Sequence, residues 1–73
     1  MKEFKVTYGY DLEHFETEKE VEDYMLNIVE VYKELNPRKV YDDVLQGNKK
    51  VRVVVYEYRT LYRETFIIEE RDV

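Results

Sequence analysis

The feature that most constrains the fold is a helix signal that begins at Thr17 and ends at Pro37. Thr17 and Glu20 match a capping box, in which the Thr hydroxyl accepts the Glu20 amide and the carboxylate reaches back. Asn36 ends the pattern, because a residue before proline resists helical dihedral angles. Between these points, apolar residues recur at spacings of three and four, as in a helix with one buried face: Val21, Tyr24, Met25, Ile28, Tyr32 and Leu35.

Three other stretches are typical of β-strands. Residues 4–10 alternate apolar and polar side chains, which predicts a strand that bends or ends near Gly9. Residues 51–58 are β-branched and aromatic, and residues 62–70 have an apolar centre. We expect residues 11–16 to be a connection between the first strand and the helix.

Residues 40–45 support two interpretations. In the first, Asn36-Pro37 opens a second, short helix, and Gly47 supplies a left-handed stop. In the second, the stretch is a strand and Gly47-Asn48 is a hairpin turn. That turn pairs Asp43 with Arg52 and Val44 with Val51. We favour the helix because its cap, period and stop agree, and the strand remains the alternative.

The order of these elements predicts a single α+β domain over residues 1–73. An antiparallel sheet of about three strands carries the long helix and the short helix on one face, in the order β-α-α-β-β. If residues 40–45 form a strand, the order becomes β-α-β-β-β. The chain has no cysteine, which excludes a disulfide scaffold and a thiolate metal site.

Acidic residues are concentrated in one part of the chain. Residues 11–23 hold seven acidic side chains and one base, Lys19, and the whole chain has a net charge of −5. Such a balance argues against direct nucleic-acid binding, which uses Lys and Arg to displace counterions from phosphates. It argues equally against anionic membrane surfaces. We therefore expect the protein to bind another protein.

The helix presents its acids as a row. Side chains three or four positions apart lie roughly 5–6 Å from each other at Cβ, a spacing comparable with that of phosphates along a nucleic-acid strand. Leu26 falls on the polar flank of this row, where an exposed leucine suits an interface anchor. The candidate partner-binding residues here are Glu16, Glu20, Asp23, Leu26, Glu30 and Glu34.

The sheet has a second face that no helix covers. Depending on register, this uncovered face carries Tyr56 and Tyr58, or it carries Val51, Val53 and Val55. We include Tyr56 and Tyr58 among the candidate partner-binding residues. An apolar patch on that face is typical of an interface.

No catalytic or metal motif accompanies these surfaces. Gly9 and Gly47 are the only glycines, so the chain has no Gly-rich phosphate loop. Asp11, Glu13 and His14 are metal-ligand types, but adjacent positions on an extended segment do not converge on one ion. We expect no enzymatic activity, no cofactor and no metal.

These observations predict a small, acidic, non-enzymatic binding protein. Its sharper form is an inhibitor of the kind that phages and mobile elements encode, in which carboxylates mimic nucleic acid inside a partner's basic groove. No signal peptide or membrane span is evident, so we expect a cytoplasmic location.

Two alternatives belong to other classes. The first is a self-associating module, such as a homodimer, that uses the sheet edge or the aromatic sheet face. The second is a single-stranded nucleic-acid binder that uses a basic turn around Gly47. The cations of that turn are Arg38, Lys39, Lys49, Lys50 and Arg52.

Overall fold

A computed structural model describes residues 2–31, 37–46, 49–58 and 62–72, and within residues 38–46 it describes the side chains of 38–40 and 43. The described part contains five strands and one helix, which confirms the α+β class but corrects the predicted number of about three strands. The elements are β1 (Lys2–Tyr8), β2 (Asp11–Phe15), α1 (Glu18–Val29), β3 (Arg38–Gln46), β4 (Lys49–Tyr58) and β5 (Tyr62–Asp72).

The five strands form one antiparallel sheet in the order β2-β1-β5-β4-β3. A β1–β2 hairpin and a β3–β4–β5 meander meet where β1 pairs with β5. The first and last strands of the sequence therefore lie side by side, and β5 is the middle strand. Helix α1 connects the two edge strands, β2 and β3.

Strand β2 occupies the stretch that we predicted to be a connection. Gly9 has a φ of 59° in the two-residue turn that joins Tyr8 to Asp11, its direct partner across the hairpin. Two-residue hairpin turns require positive φ, which glycine adopts without steric cost. The predicted end of β1 near Gly9 is confirmed, but the chain then folds back as a strand.

Residues 40–45 belong to strand β3, so the short helix that we favoured is wrong. The β3–β4 register places Asp43 opposite Arg52 and Val44 opposite Val51, as the hairpin alternative requires. Arg52 donates two hydrogen bonds to the Asp43 carboxylate, at 2.6 and 3.2 Å. A helix cap contributes only about 1 kcal/mol, and pairing along the whole of β3 outweighs it. The turn residues Gly47-Asn48 lie outside the described residues.

Helix α1 begins at the predicted cap. Thr17 is the N-cap, and its Oγ1 accepts the Glu20 amide at 3.2 Å and lies 3.0 Å from Glu20 Oε1. The helix extends to Val29, and a tighter turn follows it. Its predicted continuation over residues 32–36 lies outside the described residues. In the part of the chain that the structure describes, no helix has the length and hydropathy needed to cross a membrane.

Substitution of the cap provides a test of this local structure. We expect Thr17→Ala to lower the free energy of unfolding by about 1 kcal/mol, because the Glu20 amide loses its acceptor. Urea unfolding followed by circular dichroism measures the difference. Thr17→Ser keeps a hydroxyl acceptor and should behave almost like the wild type. An equal loss in both variants would contradict the capping role.

Helix α1 covers one face of the sheet. Its buried side chains are Val21, Met25 and Val29, which are four positions apart and therefore form one stripe. Two other predicted core residues, Tyr24 and Ile28, are partly buried against this stripe. The sheet contributes the rest of the core, namely Phe4, Val6, Val54, Tyr56, Tyr58, Phe66 and Ile68.

Candidate functional site

The acidic residues segregate to one part of the molecule. Residues 11–30, which comprise β2, α1 and the connection between them, contain eight acids and one base, a net charge of −7. Because the whole chain is −5, the remaining residues sum to +2. We call the exposed surface of residues 11–30 the acidic side.

Strand β2 and helix α1 contribute to the same acidic side because they are packed together. The rings of Phe15 on β2 and Tyr24 on α1 are 5.3 Å apart. Burial, followed by the carboxylates of Asp11 and Glu13, raises the pKa of Tyr24. The field of the β2 acids therefore reaches the helix, and a surface field of one sign attracts a partner of the opposite sign.

Four of the five acids predicted for the acidic row lie on described surface. Glu20 and Asp23 on α1 and Glu30 at its C-cap are exposed and share one side of the helix, with about 15 Å between the first and the last. Glu16 is also exposed, but it precedes the N-cap and so extends the row from the connection. Glu34 lies outside the described residues.

Two acidic side chains of the helix make contacts within the domain. Glu20 closes the cap with Thr17, and Glu22 accepts a hydrogen bond from Lys39 Nζ at 3.0 Å, which ties α1 to β3. Glu16 and Asp23 take part in neither contact. They are therefore the positions at which a partner contact is best tested without disturbing the helix.

Leu26 lies beside the acidic row. Its side chain is 47% exposed, whereas the adjacent Met25 is buried in the core. The helical wheel predicts this difference, because successive residues turn by about 100°. An exposed leucine on the flank of Asp23 gives the acidic side an apolar contact point.

Tyr56 and Tyr58 do not lie on the uncovered face of the sheet, so the prediction of an exposed aromatic surface is wrong. The two side chains are 5% and 1% exposed, and they belong to the same buried cluster as Met25 and Val29. Alternate residues of a strand face opposite sides, and in β4 the large rings fill the thin core under α1. Burial is the main reason that the pKa of Tyr56 is raised.

The uncovered face carries Val51, Val53 and Val55 of β4 instead, whereas Val54 lies in the core with the tyrosines. Val53 pairs with Ile67 of β5, and Val55 pairs with Val40 of β3. Val40 and Ile67 are exposed, and Val53 and Val55 are half-buried. We call the apolar centre of this uncovered face the valine face, and it consists of Val40, Val53, Val55 and Ile67. Val51 lies on the same side of β4 but is buried.

Three of the five basic residues predicted for the turn, Lys39, Lys50 and Arg52, contact carboxylates. Hydrogen bonds from Arg52 lower the pKa of Asp43. Lys39 donates to Glu22, and Lys50 Nζ lies 3.9 Å from Glu70 Oε2. Cations that are neutralised in this way attract phosphate weakly, which counts against the basic turn as a nucleic-acid site.

An open cavity of about 250 Å³ lies between the first half of α1 and the sheet. Buried core side chains form its floor, and its rim carries equal numbers of cations and carboxylates. The rim residues are Glu18, Glu22, Lys39, Lys50, Arg52 and Glu70. Because the rim is balanced in charge, the cavity favours neither an anionic nor a cationic ligand.

Asp11, Glu13 and His14 do not form a common site. The two acids lie on one face of β2 and the histidine on the other, because strand residues alternate. His14 Nδ1 lies 2.9 Å from Glu3 Oε1 on β1. Among the described residues, no three potential metal ligands come together.

The acidic side and the valine face are thus the two surfaces that distinguish this molecule. One offers charge and the other offers apolar area, on different sides of the sheet. Comparison of the chain with protein-family models, curated proteins and solved structures finds no match.

Proposed function

We propose that the protein is a small, non-enzymatic binding protein whose acidic side docks onto a basic surface of another protein. The observation that carries this proposal is the charge segregation, −7 in residues 11–30 against +2 elsewhere. A small domain that collects its negative charge in one region attracts and orients a basic partner.

The sharper form of the proposal is that the partner surface is a groove that binds DNA or RNA. The protein is then an inhibitor of the phage or mobile-element type. The support is the row of Glu20, Asp23 and Glu30 on one side of the helix. Glu20 and Asp23 are three positions apart, a spacing comparable with that of phosphates, and Glu30 follows about 10 Å further along the helix. A basic side chain that contacts a carboxylate is withdrawn from phosphate, so binding of the protein and of nucleic acid exclude each other.

Reversal of two charges tests the docking surface. The double variant Glu16→Lys/Asp23→Lys is expected to weaken partner binding about 100-fold, which is about 3 kcal/mol for two reversed contacts. Glu20 is left in place because it closes the helix cap. The measurement is affinity capture from a cell lysate with immobilised wild type and variant, followed by titration of the captured, purified protein.

The matched control changes the net charge by the same amount on the sheet. Glu57→Lys/Asp72→Lys lies outside residues 11–30 and should capture the same partner with affinity close to that of the wild type. Circular dichroism verifies that both double variants are folded. Equal capture by the two variants would remove the acidic side as the docking surface.

Competition with nucleic acid tests the sharper form. A fluorescent oligonucleotide bound to the captured partner should be displaced by the wild type and not by Glu16→Lys/Asp23→Lys. Stable ternary complexes would refute mimicry of nucleic acid, although binding through the acidic side would still hold.

A further inference from the structure

The valine face remains uncovered by the described residues. Val40 is 41% exposed and Ile67 is 39% exposed, and they flank Val53 and Val55 on either side. On β2, Leu12 is also exposed on this face, and it pairs with Thr7, which in turn pairs with Ile67. Apolar residues on this face therefore come from four strands, although the positions of Thr7 on β1 and of Asp42, the register partner of Val53 on β3, interrupt them. Exposed apolar surface that is rimmed by polar residues marks an interface.

The charges around the valine face are balanced. At one end, Arg63 lies 3.8 Å from Glu57, and at the other, Arg71 lies 3.4 Å from Glu3. The Lys5–Glu69 pair, at 3.8 Å, also lies on this face. Each end of the valine face thus carries both positive and negative side chains, in contrast to residues 11–30, whose net charge is −7. A surface with such local neutrality meets no net repulsion from a copy of itself.

We infer that a second copy of the chain covers the valine face, so that two sheets pack face to face about a two-fold axis. Sheets packed in this way lie about 10 Å apart, and the side chains of their inner faces interdigitate. Valines then contact valines, and the two acidic sides point outwards, away from each other. The symmetry is closed, so assembly stops at the dimer.

The available area matches a weak dimer. The five strands hold 42 residues, so at about 3.4 Å per residue and about 4.8 Å between strands the face covers roughly 700 Å², or roughly 1,400 Å² for both partners. Stable interfaces begin near this total, so the dissociation constant should fall in the micromolar range. The dimensions of the molecule, 38 × 21 × 20 Å, agree with a flat face of this size.

Other arrangements of two copies leave apolar area uncovered or mismatched. Docking of the valine face onto the acidic side of a second copy would place valines against carboxylates, which lose their water without a hydrogen-bond partner. Pairing of two β3 edges would extend the sheet and leave both valine faces exposed. In the face-to-face arrangement, both valine faces are covered and both acidic sides remain in contact with water.

Sedimentation equilibrium over micromolar concentrations tests this dimer in the absence of any other protein. We expect Ile67→Lys to raise the dissociation constant at least about 100-fold, because it places an ammonium at the centre of the interface. Ile67→Thr keeps β-branching and strand propensity and should raise the constant by about 10-fold. The milder variant keeps the test valid if the lysine variant folds poorly.

The matched control is Val31→Lys, an exposed apolar residue beyond the end of α1 and away from the valine face. It makes the same change in charge and should dimerise like the wild type. A wild type that remains monomeric at high micromolar concentration would overturn the proposal. A dimer that Ile67→Lys leaves intact would also overturn the proposal. That result is expected if two copies pair through their β3 edges instead. Intermolecular contacts between the methyl groups of Val53 and Ile67, detected by isotope-filtered NMR, would support it directly.

Discussion

Phe66→Ala is expected to bring the domain to the edge of unfolding at 25 °C. Phe66 is fully buried on the middle strand, and its ring lies 4.8 Å from Tyr8, 6.3 Å from Tyr24 and 6.0 Å from Tyr56. Truncation of such a residue costs about 3–5 kcal/mol. A domain of 73 residues has roughly 4–11 kcal/mol of stability in total, so the loss is a large fraction of it and equals the whole near the lower end of that range.

Urea unfolding, followed by far-ultraviolet circular dichroism, measures this loss. Tyr62→Ala removes an exposed aromatic ring from the same strand and should change the free energy of unfolding by no more than about 0.5 kcal/mol. Phe66→Leu retains most of the buried volume and should lie between the two. A Phe66→Ala variant with the wild-type midpoint would show that the aromatic cluster does not organise the core.

Met25→Lys is expected to detach helix α1 from the sheet. Met25 is buried in the middle of the stripe formed with Val21 and Val29, so the new ammonium would replace apolar contacts in the core. We expect a loss of about 3–5 kcal/mol, because a buried lysine either loses its charge or draws water inside. The folded state would lower the pKa of this lysine, so the unfolded state binds more protons, and stability should recover as the pH rises towards 10.

The neighbouring residue provides the control. Leu26→Lys makes a similar change on the exposed flank and should shift the free energy of unfolding by no more than about 0.5 kcal/mol, with little dependence on pH. Thermal unfolding at neutral and alkaline pH compares the two variants. If Met25→Lys and Leu26→Lys lose equal stability, the assignment of the buried stripe is wrong.

The helix and three of the strands could be predicted from the sequence because their signals are local. Thr17 and Glu20 mark the start of α1, and the spacing of Val21 and Met25 identifies its buried face. Strands β1, β4 and β5 have the alternating or β-branched patterns that a sheet requires.

We did not predict strand β2 from the sequence because its residues have a low preference for strands. Asp11, Glu13 and His14 are poor strand formers, and their pairing depends on β1 rather than on their own preferences. Gly9 was the available signal, since a glycine in a two-residue turn permits the chain to reverse at once. Because the segment is strongly acidic, we predicted a connection there rather than a strand.

Strand β3 shows a conflict between local and distant signals. The Asn36-Pro37 start and the Gly47 stop agree with a short helix, but the valines of β4 offered a partner with a consistent register. The prediction for the sheet surface failed for a related reason. Periodicity separates Tyr56 and Tyr58 from Val53 and Val55, but only the position of α1 decides which set is covered.

The adjacency of β1 and β5 has a consequence for biosynthesis. The middle of the sheet cannot be completed until β5 has left the ribosome, because β5 pairs with both β1 and β4. Until then the β1–β2 hairpin and α1 lack the surface that buries Phe4 and Val6. Folding of this small domain should therefore wait for β5 and be comparatively slow, since its decisive contacts join residues far apart in the sequence.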